Sequence, residues 1–140
     1  MKFKIILGCV ALTFVVGLGV LLYNKQNAPL PNLQLITEQG AGIHDFYIQN
    51  NKVYIVGGVS IKNNTSEMQK YSLTATSEYD HENGLIKSAT LEGYDDSLES
   101  NEFTIAGNET QTFTIVFVGD YAGTPQKGNR LMPEISIVSK

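Results

Sequence analysis

Hydrophobic and polar positions divide this chain into two regimes. From Ile5 to Tyr23 the sequence IILGCVALTFVVGLGVLLY is an unbroken apolar run without charge. A helix of about nineteen residues spans roughly 28 Å, close to the thickness of a bilayer's hydrocarbon core. Beyond Asn32 the pattern changes to period two, the signature of half-buried strands. In Lys70–Asp80, Tyr71, Leu73, Ala75 and Tyr79 fall on one face and Ser72, Thr74, Thr76 and Glu78 on the other. In Gln111–Val118, Phe113, Ile115 and Phe117 alternate with Thr112 and Thr114. Val53–Ile61 is more apolar and β-branched, as a central strand would be, and its Gly57-Gly58 pair suggests a bulge or a close backbone approach.

Leu33–Thr37, His44–Gln49, Leu85–Tyr94, Glu102–Ile105 and Arg130–Val138 complete a set of seven or eight strands. Turn signals separate most of them: Asn50-Asn51, Asn63-Asn64-Thr65-Ser66, Asp80–Gly84, Gly107-Asn108 and Gly123-Thr124-Pro125. No amphipathic helix of ten residues or more follows Tyr23. The pattern predicts an all-β fold, a sandwich of short antiparallel strands, preceded by one N-terminal transmembrane helix. The expected organisation is a cytoplasmic leader at 1–4, a span at 5–23, a spacer at 24–32 whose Pro29 and Pro31 favour extended backbone, and a β-sandwich domain at 33–140.

The flanks of the apolar run set its expected fate and orientation. Lys2 and Lys4 precede it and Lys25 follows, so the charge bias keeps the N-terminus cytoplasmic and places the domain outside the cell membrane. No A-x-A cleavage site follows Leu22, which favours a retained anchor over a removed signal peptide. Ile6-Leu7-Gly8-Cys9 resembles a lipoprotein acylation site, but acylation at Cys9 would leave Val10–Tyr23 as an apolar N-terminus. Small residues at Cys9, Thr13 and Gly17 share one helix face, a pattern common to such spans.

Composition narrows the remaining possibilities. The chain has 140 residues, which leaves room for one domain after the span, and carries a net charge of -4. With no run of basic residues, it lacks the electrostatic footprint of a nucleic-acid binder. Cys9 is the single cysteine, so neither an intrachain disulfide nor a four-cysteine zinc site is available.

Three motifs carry a family resemblance: Ile61-Lys62-Asn63-Asn64-Thr65, a strand ending in a turn; Tyr79-Asp80-His81-Glu82-Asn83-Gly84-Leu85-Ile86, similar to a Y-D-x-x-G hairpin; and Ala106-Gly107-Asn108-Glu109-Thr110, similar to a P-G-E-T turn. Through them Val53–Lys140 resembles the small immunoglobulin-like bacterial surface domains of the FxLYD and telokin-like type. Where that type has Phe-x-Leu-Tyr-Asp, this chain has Thr76-Ser77-Glu78-Tyr79-Asp80. The resemblance implies an immunoglobulin-like fold in an anchored or secreted domain without catalytic residues.

Candidate chemistry is sparse. Asp80 and Glu82 lie beside His81 in one loop, and Asp95 and Asp96 open an acidic stretch with Glu99 and Glu102. These are the candidate metal ligands, although hairpin turns and solvated loops use the same residue types and the twelve-residue calcium pattern is absent. His44 and His81 are the only histidines. No nucleophile motif or phosphate-cradling glycine loop occurs, so no enzyme and no cofactor is expected. Asn63, Asn64 and Asn108 each begin an N-x-S/T triplet. Among the seven tyrosines, Tyr54, Tyr94 and Tyr121 are the candidates for partner contact. Two functions follow as expectations: a membrane-anchored extracytoplasmic module meeting a protein or cell-wall partner in the envelope, or a domain that binds or senses a cation or small ligand.

Overall fold

Val53, Ile55, Val59 and Ile61 supply the spine of the fold, a long central strand whose alternate side chains are almost wholly buried. In a computed structural model, which describes residues 30–36, 42–125 and 132–140, eight strands and one short helix are present among the described residues. The strands are β1 (Leu33–Leu35), β2 (Gly42–Gln49), β3 (Lys52–Asn63), β4 (Gln69–Thr76), β5 (Thr90–Tyr94), β6 (Phe103–Ile105), β7 (Thr110–Asp120) and β8 (Glu134–Ser139). The helix α1 (Glu78–Glu82) lies between β4 and β5. Every strand pairing is antiparallel.

Strand β7 runs along one edge of β3 from Lys52↔Asp120 to Lys62↔Thr110. The opposite edge is shared end to end, with β2 against Lys52–Gly58 and β1 against Ile61–Asn63. Asn50 and Asn51 link β2 to β3 with φ of 51° and 60°, the left-handed pair that a two-residue type I′ hairpin requires. The bulge expected at Gly57-Gly58 lies instead on the opposing strand, where the register shifts between Ile43 and Asp45 and leaves His44 over. Gly57 serves as the close approach, since a Cβ there would stand 2.8 Å from the carbonyl oxygen of Gly42 and 2.6 Å from Met132 Cε.

Strand β4 organises the rest. It takes β8 on one edge and, on the other, β5 beside Thr74–Thr76 followed by β6 beside Gln69–Tyr71. Strand β5 also pairs with β7, Gly93 opposite Phe117, so it joins the β4 and β7 neighbourhoods into one curled sheet. At the far ends of that path β8 approaches β1. Tyr71, Leu73 and Ala75 from β4 meet Ile115 and Phe117 from β7 and the buried face of β3 in one core. Pro31–Lys140 forms a single compact unit around it.

The all-β expectation therefore describes the domain, with two local corrections. The alternation read through Asp80 ends at Thr76: Ser77 starts α1, and Tyr79, expected on the buried face, is 70 % exposed. The supposed Tyr79–Ile86 hairpin is this helix followed by a turn at Gly84, with φ of 77°. Ser77 Oγ donates to Asp80 Oδ2 at 2.8 Å, and the Asp80 carbonyl accepts from the amides of Leu85 and Ile86. The reversal buries Leu85 and Ile86 completely, worth about 1.5–3 kcal/mol for each side chain. That gain outweighs continuing a strand with one tyrosine on its inner face. Correspondingly, Leu85–Tyr94 contains a strand only from Thr90; Ile86 makes an isolated bridge to Tyr121. The expected span at 5–23 and most of the spacer lie outside the described residues, among which no helix is long and apolar enough to cross a membrane.

Candidate functional site

Side chains that point away from the core of the β2–β3–β7–β5 sheet form two cross-strand rows. One runs Tyr47, Tyr54, Val118 and Glu92, and the next runs Asp45, Val56, Val116 and Tyr94. Directly opposed residues on one face of an antiparallel sheet lie within side-chain reach, so each row is a contact ladder. Tyr47 and Tyr54 stack with ring centroids 4.7 Å apart and planes 14° from parallel. Val116 faces outward yet is only 4 % exposed, flanked by Val56 and Tyr94.

Charge borders this tyrosine and valine face. Lys52 Nζ lies 2.5 Å from Asp120 Oδ1; the hydrogen bond and the attraction hold Asp120 below its ordinary 3.8 and Lys52 above its ordinary 10.5. Tyr94 donates its hydroxyl to Glu92 Oε2 at 2.8 Å, and this bond raises the phenol pKa. Two of the three tyrosines proposed for contact, Tyr54 and Tyr94, thus share one face. Tyr121 is placed elsewhere, packed against the core and bridged to Ile86. Tyr47 belongs to the face but was not among the candidates. It was legible: a two-residue turn at Asn50-Asn51 fixes Tyr47 opposite Tyr54 by counting back from Gln49↔Lys52.

The metal candidates are not brought together. No group of three or more His, Cys, Asp or Glu side chains suited to a metal ion occurs among the described residues. Asp80 is 6 % exposed and takes the Ser77 hydroxyl, whereas Glu82 is exposed at the end of α1. Asp95 organises its own loop. Its Oδ1 accepts from Ser97 Oγ and the amide of Glu99 at 2.9 Å, and from the amide of Ser100 at 3.3 Å. Desolvation pushes its pKa up, and the bonds from Ser97, Glu99, Ser100 and Leu98 outweigh it, leaving the carboxyl below its ordinary 3.8. These are the demands of a turn, met within the chain. The two histidines are apart in the fold, His44 in the β2 bulge and His81 with Nδ1 3.2 Å from the Ile86 carbonyl.

Asp95 and Asp96 do border an open groove of about 630 Å³, together with Glu102, Glu109 and the half-buried rings of Phe103 and Phe113. The two rings tilt against each other with centroids 5.2 Å apart. Sequence alternation placed Phe113 inward but gave no sign that the loop from Asp95 to Glu102 would stand beside it.

The triplets at Asn63 and Asn64 serve the fold. Fully buried Asn63 donates through Nδ2 to the carbonyls of Glu67 at 2.7 Å, Ala106 at 3.0 Å and Ile105 at 3.4 Å. Its Oδ1 accepts from the amide and hydroxyl of Thr65 at 2.9 and 2.7 Å. Asn64 Nδ2 donates to Pro31 and Gln34, while Asn108 is exposed on a turn with φ of 59°. No family model matches this chain, and no curated protein matches it.

Proposed function

We propose that this protein is a single-pass, membrane-anchored extracytoplasmic module that binds a protein partner in the cell envelope and carries no catalytic activity. The observation that supports this reading most directly is the outward tyrosine and valine face. A centre of Tyr47, Tyr54, Val56 and Val118, underlain by the buried Val116, with a polar border at Asp45, Glu92 and Lys52–Asp120 has the anatomy of a protein interface. Its border is acidic on balance, so the partner presents an apolar centre ringed by basic groups. Residues 5–23 supply the anchor and 24–32 the spacer. The immunoglobulin-like identity of the sandwich, and its likeness to the FxLYD and telokin-like type, belong to the same proposal.

The test uses the full chain in its native membrane, with a photo-cross-linking phenylalanine analogue at position 54 and, as a control, at position 108. Irradiation is expected to give a discrete adduct from position 54 alone, in a species resistant to carbonate extraction and digested by protease added outside. Absence of an adduct, or equal adducts from both positions, would refute the contact face. A soluble, shortened product would remove the anchor. The ligand-binding alternative predicts that calcium raises the melting temperature by linkage, whereas an interaction module leaves it unchanged.

A further inference from the structure

Strands β5 and β6 follow one another along the same edge of β4, separated by the excursion from Asp95 to Glu102. Only β5 reaches across to β7, where it pairs with Val116–Val118. From Thr114 back to Thr110 no strand pairs with the second edge of β7 among the described residues, so the sheet splits open there. The groove occupies this split.

Backbone polarity follows from the ladder. The amide of Asn63 donates to the Glu109 carbonyl, and β7 runs on without a register shift. The alternation of an antiparallel pair then turns the N–H and C=O groups of Thr110, Thr112 and Thr114 away from β3, towards the split. On the facing side, the Thr104 carbonyl of β6 is taken by a side chain, Gln111 Nε2, at 3.1 Å, where a neighbouring strand would supply an amide. An exposed strand edge of this kind recognises an extended peptide by adding it as a further strand.

The surrounding side chains specify which peptide. Phe103 and Phe113 offer an apolar floor for alternate residues, while Asp96 and Glu102 offer carboxylates to the others beside Asp95 and Glu109, whose carboxylates hold the amides of their own turns and add to the acidic field. Glu102 already receives an ammonium group, with Lys140 Nζ 3.5 Å from its Oε1. We propose that the split between β6 and β7 binds an extended basic segment of a partner protein, in which lysine or arginine alternates with apolar residues and the backbone pairs with Thr110–Thr114. This rests on the reading of the protein as an interaction module and names a second contact for it.

The test uses the full chain in a mild detergent and a fluorescein-labelled octapeptide alternating lysine and valine, with the glutamate–valine octapeptide and spermine as controls. Anisotropy is expected to show binding of the lysine peptide alone, weakened at least tenfold between 50 and 500 mM salt. Amide exchange at Thr110, Thr112 and Thr114 is expected to slow when the peptide is bound. The double variant D96N/E102Q, at exposed positions, is expected to lose at least fivefold in affinity with an unchanged melting temperature. Equal binding of the glutamate peptide would overturn the proposal, as would lysine-peptide binding without protection of those amides, the pattern of a mere cation site such as spermine would occupy. The same double variant leaves a Tyr54 adduct intact, so failure at the groove is distinguishable from failure of the tyrosine face.

Discussion

Asn63 sits where three segments meet, and its amide holds them together: the 64–67 loop through Thr65 and Glu67, and the end of β6 through Ile105 and Ala106. Replacing it with alanine leaves the buried Ile105 carbonyl and the part-buried backbone groups of Thr65, Glu67 and Ala106 without their side-chain partner, at about 1–3 kcal/mol for a fully buried group and less for the others. Asn63→Ala is therefore expected to lower unfolding free energy by about 3 kcal/mol in urea titration, against about 1 kcal/mol or less for Asn64→Ala. Equal losses would remove Asn63 from this role. Tyr71 offers a pH-resolved counterpart. Its burial pushes the phenol from an ordinary 10.0 up to about 12. Between those values the unfolded chain has released a proton that the folded chain retains, so stability is complete below pH 10 and falls as pH rises towards 12. Tyr71→Phe loses one long hydrogen bond, 3.4 Å to Gln111 Oε1, and is expected to differ little from the parent at pH 7. Thermal melts from pH 9 to 12 are expected to show the variant gaining on the parent; parallel curves would contradict the buried phenol.

At the level of elements, β5 holds the curled sheet together over a short contact, and Gly93 lies at its centre. A Cβ there would stand 2.8 Å from the Leu73 carbonyl oxygen and 3.1 Å from side-chain atoms of both Ile115 and Phe117. Gly93→Ala is thus expected to cost about 2 kcal/mol through overpacking, measured as a shift in the denaturant midpoint, and a neutral effect would mean that β5 can move aside. Strand existence was legible because Tyr71, Leu73 and Ala75 alternate with polar residues, and the same held for Phe113, Ile115 and Phe117. The end of β4 was not legible: whether Tyr79 continued the strand depended on Leu85 and Ile86 finding the core, a tertiary gain invisible to local period. For the same reason Asp95 looked like a ligand. Its partners, Ser97 and the amides of Glu99 and Ser100, are adjacent in sequence, but only the turn's geometry spends its oxygen on them. The tyrosine face was half legible, because Tyr54 and Tyr94 come from strands whose adjacency depends on β7 lying between them.

Across the whole molecule, stability is unevenly spread. Strand β3 is paired on both edges and holds Val53, Ile55 and Ile61 in the core, whereas the 95–102 excursion is tied mainly by its own short bonds. Among the described residues, amide exchange is expected to be slowest at Ile55 and Phe117 and fast at the β2 bulge, at the open-edge amides of Thr110, Thr112 and Thr114 and within 95–102. Comparable rates in β3 and in the excursion would contradict the pairing. The shared edge of β3 also has a mechanical consequence. On the proposed anchoring, tension entering through Pro31 and Asn32 would meet β1 first, which is held by three register pairs, the Asn64 bonds to Pro31, Asn32 and Gln34, and the Ile36 amide on the Ser60 carbonyl. Strand β2, with seven register pairs, comes next along the chain. Under the proposed anchoring, a pull strong enough to peel β1 would lengthen the tether while β2, β3 and β7 kept the tyrosine face in shape, so β1 would act as a shock absorber between load and grip.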